Sequence, residues 1–403
     1  MPCILKQQTP KSPGVITFTH GEALWGVPKR SRRVRDALLE AKKSGKWIFG
    51  IHVQGDCSHL SEWPMPEWQS FVMWPKQDAP FLRNLPPVEF CPYTCINFMP
   101  AFLADKPIAD KEWDLCVISR ASSIKRIEET LQLIRILFDE RPDTRVVMIV
   151  PDPRHQDLGA KAYKQQRIDE SYFKLPLRLF SARELKNISF ISSSQESFGN
   201  FPLADGMVAD ILSKSKFMML TSHLEGVPRV IAEALLVGTP CIVSENLRSG
   251  LNEWLSDHNS IRIADEPSKG AAQILEALNR YHQFSLDQQA VKQAFSESEH
   301  LQGFQNYLAE RITSAGFKVE GRWYLEDLHL RLACHGQKRH AQFFYRENLF
   351  FNWLEKARTL NTDYADEDFL NGTGPFNDDP TLWQQARRYA GMSFHGIANL
   401  IRK

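Results

Sequence analysis

The stretch Ser222-His-Leu-Glu225-Gly-Val-Pro-Arg-Val-Ile-Ala-Glu233-Ala-Leu-Leu-Val-Gly-Thr-Pro240 decides how this chain is read. Two glutamates stand eight positions apart, Glu225 beside a glycine and Glu233 inside an apolar helical pattern. Two turns of α-helix take about 7 residues, so both carboxylates can project from one side, one at the helix mouth and one deeper. A helix N-terminus offers free N–H groups and a partial positive charge, which suits a phosphate. Ser222 and the N–H groups of Gly226 and Val227 are the hydroxyl and amides that precede that helix, whereas Pro228 has no N–H to give. Phosphate-binding amides beside two carboxylates that accept hydroxyl protons suit a nucleotide-sugar. A glutamate in a first turn can also be there only to complement the helix dipole, so the flanks must decide.

They point one way. Lys216-Phe-Met-Met-Leu-Thr-Ser222 reads as a buried parallel strand running into the motif, and Pro240-Cys-Ile-Val-Ser244 as the next strand after Gly238 ends the helix. That order puts both carboxylates at the carboxyl edge of a parallel sheet, where open α/β sheets bind ligands.

A second motif lies upstream. Trp113-Asp-Leu-Cys-Val-Ile-Ser119 is a short apolar strand with Arg120 at its end. Lys125 follows, opening a helix whose apolar residues at 127, 131, 134 and 138 mark one buried face. Taken alone, an arginine and a lysine near a helix start are more often solvated surface groups.

Together the two motifs resemble the donor-site signature of retaining GT-B glycosyltransferases, the large group called family four or glycosyl transferases group 1. The resemblance covers residues 112 to 310, with Glu-Gly-x-Pro followed by the second glutamate and Gly-Thr-Pro, and with Arg120 and Lys125 at the spacing of the family's Gly-Arg-x-x-x-x-Lys. Two positions depart from it: Ser119 stands for a glycine, and Arg126 for the glycine that often follows the lysine.

The resemblance implies an α/β, GT-B-like fold with two Rossmann-type doubly wound domains facing a cleft. It implies a sugar transferred, with retention and without a metal, from a UDP- or GDP-sugar to a hydroxyl acceptor, either a glycan, a lipid-linked acceptor or a small molecule. No other cofactor is implied. Arg120 and Lys125 would hold the diphosphate, Glu225 the donor sugar hydroxyls and Glu233 the ribose. Cations fixed at the leaving diphosphate stabilise the charge that develops as the glycosidic bond breaks. Two carboxylates would also suit double displacement, but Glu233 at the ribose lies too far from the anomeric carbon, and front-face attack is the family's favoured course. His52, at the end of the strand Lys46–His52, matches a family histidine that reaches toward the donor sugar, with His20 a weaker counterpart.

Residues 1–110 are expected to form a reduced acceptor-side domain, 111–310 the donor domain, and 311–403 a mainly helical extension packing back on the N-terminal domain. In the first of these the family's opening strand and glycine-rich loop find no match. The loop 193–202 falls where the family reads the nucleotide base.

Composition adds bounds. Among 403 residues, 49 Lys and Arg balance 48 Asp and Glu, which gives no support for nucleic-acid binding. Cys3, Cys57, Cys91, Cys95, Cys116, Cys241 and Cys334 include no Cys-x-x-Cys pair and read as reduced thiols of a cytoplasmic protein. No run approaches a membrane span of about 18 apolar residues. The basic amphipathic stretch 382–403 is compatible with a peripheral membrane contact, though a helix packed on the N-terminal domain is the preferred reading. His329, His335, His340 and His395 show no metal-ligand spacing with acids. Two other classes stay open: a nucleotide-sugar-binding relative without transfer activity, and an epimerase of the same architecture. The second is disfavoured by the lack of acid–base carboxylates in the N-terminal part.

Overall fold

The computed structural model describes residues 3–19, 23, 32–53, 66–73, 89–106, 109–119, 125–150, 175–191, 203–326 and 328–332. Arg120, His20, the loop 193–202 and everything beyond residue 332 lie outside the described residues. The chain divides into two compact units, Met1–Arg358 and Thr359–Lys403, and every described residue belongs to the first.

The N-terminal sheet has strands β1 (Cys3–Lys6), β2 (Gly14–Thr19), β3 (Trp47–His52), β4 (Phe71–Met73) and β5 (Phe90–Cys91), in that spatial order. β2 to β5 run parallel and β1 is an antiparallel edge. Helix α1 (Arg32–Lys43) links β2 to β3 and buries Val34, Leu38 and Ala41, spaced to make a single apolar stripe. β1 is absent from the sequence expectation, because four residues carry too little alternation to separate a strand from a loop.

The second sheet has six parallel strands: β6 (Trp113–Ile118), β7 (Val146–Ile149), β8 (Ile188–Ile191), β9 (Ser215–Leu220), β10 (Cys241–Ser244) and β11 (Ser260–Ile263). Their order is β11-β10-β9-β6-β7-β8. Counted from β6, that is the doubly wound order 3-2-1-4-5-6 read from β8, with its switch point between β6 and β9. Helices cover both faces. On one, α2 (Ile127–Glu140) and α5 (Pro267–Asn279) pack Leu131, Ile134, Ile274 and Leu278 on the sheet. On the other lie α3 (Asp205–Ser213), α4 (Arg229–Leu236) and α6 (Gln288–Phe295), through Leu212, Ile231, Leu235 and Phe295. The four apolar positions of α2 picked out by periodicity, Ile127, Leu131, Ile134 and Phe138, are all buried. Each is worth roughly 1.5–3 kcal/mol against exposure.

The chain passes between the sheets twice, and the two passages lie side by side. Met99 N–H donates to Phe295 O (2.9 Å) and Glu297 N–H to Met99 O (2.9 Å), with Asn97 Nδ2 donating to Ala294 O (2.9 Å). Helix α7 (Glu297–Ser314) then buries Phe304, Leu308 and Ile312 against the N-terminal sheet, followed by Leu325, Leu328 and Leu332. Part of the stretch read as donor domain, from residue 297 to 310, therefore packs with the other sheet. The return is held to β1 by Gln7 N–H donating to Arg322 O (2.8 Å) and Tyr324 N–H to Leu5 O (2.9 Å), beside the fully buried Lys6, whose Nζ donates to Gln7 O, Ser12 Oγ and Pro13 O.

Candidate functional site

β6 and β9 end beside each other at the switch point, and their following loops carry the two motifs. Lys125 lies in the turn before α2, and its Nζ contacts Oε1 of Glu225, which lies in the loop after β9. One hundred residues separate them in sequence. Both side chains are mostly buried. The loop carrying Glu225 is held by a short parallel pairing: Glu225 N–H donates to Arg248 O (3.0 Å), Arg248 N–H to His223 O (2.8 Å) and Gly250 N–H to Gly226 O (2.9 Å). The amides of Gly226 and Val227 donate to no group among the described residues, and Ser222 Oγ is buried without a hydrogen-bond partner. One cation, one carboxylate, two available amides and a hydroxyl thus meet at a sheet's carboxyl edge.

α4 begins at Arg229, four residues past Glu225, and Pro228 before it removes one N–H from the helix mouth. It ends in a Schellman arrangement: Gly238, at φ 79, lets Gly238 N–H reach Leu235 O (3.1 Å) and Thr239 N–H reach Ala234 O (2.8 Å).

Glu233, one turn along α4 from Arg229, belongs to a different group of charges. Its Oε1 lies 2.8 Å from Arg229 Nε. Arg229 Nη2 donates to Asp205 Oδ2 (2.9 Å) at the start of α3, and Nη1 to His329 O (3.5 Å) in the short helix Leu328–Arg331. His329 Nε2 is 3.5 Å from the same Asp205 oxygen. Burial pushes the Glu233 carboxyl up, with Arg229 acting against it. Burial would raise Asp205 too, yet the His329 hydrogen bond and the Arg229 charge bring it down to about 2. The structure therefore pairs Lys125 with Glu225, and Glu233 with Arg229.

His52 stands at the C-terminal end of β3, buried, in register with Thr19 and Met73. It belongs to the N-terminal sheet, as the sequence reading has it.

Two site-forming residues escape the motif reading. Arg126 is the one non-glycine residue with positive φ among the described residues (φ 50, ψ 44), at the position where Arg replaces a glycine. Its Nη1 donates to Asp265 Oδ1 (2.5 Å) and its Nε to Glu129 Oε1 (3.2 Å), and it touches His223. Asp265, just after β11, also takes Asn246 Nδ2 (2.6 Å) and Ser244 Oγ (3.2 Å), with His223 Nε2 2.8 Å away. Burial works to raise that carboxyl, but the bonds from His223, Arg126 and Asn246 hold it well below the usual carboxylate range. An acid two residues past the edge strand β11, outside the helix cap supplied by Glu266, is the signal the sequence offers for it.

A doubly wound sheet with charged and amide groups gathered at its switch point defines a ligand-binding α/β domain, here joined by two adjacent crossings to a second parallel sheet in a GT-B-like arrangement. Residues 99–295 match the family model described as glycosyl transferases group 1. No curated protein matches the sequence. Solved structures with similar folds include the UDP-forming α,α-trehalose-phosphate synthase of Burkholderia vietnamiensis, at 13% identity and TM-score 0.49, over 69% of this chain and 73% of that one. The pneumococcal O-GlcNAc transferase GtfA, in complex with UDP and GlcNAc, is 12% identical at TM-score 0.47, over 70% of this chain and 55% of that one. TarM of S. aureus is 12% identical at TM-score 0.46, over 65% and 50%. The chain spans about half the length of these last two proteins.

Proposed function

We propose that this protein transfers a sugar from a nucleoside-diphosphate-sugar to a hydroxyl acceptor, with retention of anomeric configuration and without a metal. The contact between Lys125 and Glu225 at the switch point carries this proposal, because it joins a phosphate-binding cation to a hydroxyl-binding carboxylate. Lys125, with Arg120, holds the diphosphate and stabilises the charge on the leaving nucleotide. Glu225 accepts hydrogen bonds from the donor sugar, and the Gly226 and Val227 amides donate to sugar or phosphate oxygens. The donor phosphate takes the acceptor proton in front-face attack. Glu233 orients the ribose from within its pairing to Arg229. The N-terminal sheet supplies the acceptor side, with His52 at the strand end nearest the reaction centre, and the acceptor is a glycan or a lipid-linked sugar. The donor is a UDP- or GDP-sugar, and the protein works in the cytoplasm or at its membrane surface. Among the described residues no helix is long and apolar enough to cross a membrane.

Incubation of the full chain with a panel of UDP- and GDP-sugars, reading free nucleoside diphosphate, tests the proposal. Release by the wild-type protein that is lost in Glu225→Ala and Lys125→Ala is the expected result. Binding of the nucleotide with no release in any acceptor mixture would instead mark a non-catalytic nucleotide-sugar-binding protein.

A further inference from the structure

Lys125 and Glu225 meet only because two loops are held in one place, and a carboxylate outside both motifs reaches each of them. Asp265 follows the outermost strand β11, and its bonds run back across the sheet edge. Ser244 and Asn246 approach it from the end of β10, His223 from the loop after β9, and Arg126 from the turn after β6. One side chain thus ties together the ends of four strands. Glu266, not Asp265, caps α5, accepting from Ser268 N–H (3.0 Å) and Lys269 N–H (2.6 Å), so helix capping does not explain the acid.

Arg126 is the link to Lys125. A left-handed backbone costs a residue with a Cβ roughly 1–2 kcal/mol, and only over-determined surroundings maintain it. Here Arg126 O accepts from Thr130 N–H (3.0 Å), Thr130 Oγ1 (3.0 Å) and Thr221 Oγ1 (3.2 Å), and Lys125 O accepts from Thr221 Oγ1 (3.3 Å). The Asp265 and Glu129 carboxylates fix the guanidinium at the other end. The peptide that aims Lys125 is therefore held from both sides.

We infer that Asp265, acting through Arg126, is a positioning residue for the donor diphosphate: it keeps the left-handed turn that directs Lys125 to the phosphate, and does not touch the nucleotide itself. The inference rests on Lys125 binding that phosphate. Misplacing a charged contact by a fraction of an ångström is enough to weaken binding measurably.

Calorimetric titration of UDP and GDP into the full chain tests it, with Lys125→Ala, Asp265→Asn, Arg126→Gly and the double variant Arg126→Gly/Asp265→Asn. Glycine accepts φ 50 without strain, so Arg126→Gly should keep the wild-type melting temperature within a few degrees and bind the nucleotide nearly as well as the wild type. Asp265→Asn should weaken the nucleotide about tenfold, and the double variant should recover most of that loss, because a glycine turn needs no carboxylate to hold it. That recovery separates action through the Arg126 turn from a contact of Asp265 with the ligand. Wild-type affinity in Asp265→Asn, with binding lost in Lys125→Ala, would overturn the inference and leave the donor-site reading intact. A double variant that binds as weakly as Asp265→Asn would also overturn it. Wild-type affinity in Lys125→Ala would remove the donor-site reading, and the inference with it.

Discussion

Glu225 and Glu233 belong to one signature, eight residues apart, yet the structure surrounds them with different physics. Glu225 lies in a loop at the open edge of the sheet, against a lysine from another strand end, beside amides that donate to no group among the described residues. Glu233 lies inside a helix, paired with an arginine that also ties α3 and the returning segment at His329. The first arrangement leaves bonding capacity to offer a ligand. The second joins parts of the protein, and the ribose contact proposed for Glu233 would be made from within that pairing. Sequence spacing alone makes the two carboxylates look equivalent, and their partners separate them.

The largest effect expected is on stability, at the Glu233 side. Arg229→Ala leaves the mostly buried Glu233 without its cation and the half-buried Asp205 with His329 alone, and should cost about 3 kcal/mol in urea unfolding, the low end for a broken buried pair. A loss below 1 kcal/mol would mean that the cluster does not couple α3, α4 and the returning segment. Next comes catalysis, at the Glu225 side: Glu225→Gln should lower turnover by about 10²–10³-fold while leaving the urea midpoint nearly unchanged. A variant that unfolds more readily yet turns over normally would reverse the division between the two carboxylates.

How much of this is legible beforehand varies with the residue. The sheet from 113 to 263 is legible because its central strands are buried on both faces and read as unbroken apolar runs, while α2 shows a helical stripe. The Lys125 and Glu225 motifs can be read from residue type and spacing, but their contact cannot, because two parallel strands 100 residues apart must first be placed side by side. Helix α7 has no place in the sequence reading, and the spacing of Phe304, Leu308 and Ile312 does not say which sheet receives them. Arg229 is the clearest blind spot: a basic residue at a helix start looks like surface until Asp205 and His329 arrive from elsewhere in the chain.

A smaller effect is expected with pH. Asp205 is held at about 2, below its unfolded value of 3.8, so its contribution is complete above about pH 4 and disappears as pH falls toward 2. The stability gap between wild type and Asp205→Asn, followed by urea melts, should therefore close over that interval. A gap that stays constant would mean the carboxylate is not charge-paired in the folded protein. The smallest effect is at the joint between the two motifs. Thr221→Val removes a hydroxyl that bonds Thr130 Oγ1 (2.7 Å) and the carbonyls of Lys125 and Arg126, and should cost about 1–3 kcal/mol. Its larger signature should be weaker nucleotide binding. Unchanged binding would show that the Lys125 turn holds its shape without β9.

A crystal structure of the full chain with UDP or GDP bound decides between these assignments. The diphosphate should lie within hydrogen-bonding distance of Lys125 Nζ and the Gly226–Val227 amides, with Arg229 still paired to Glu233. A nucleotide seated elsewhere, with Lys125 still on Glu225 and both amides untouched, would show that the switch point is not the donor site.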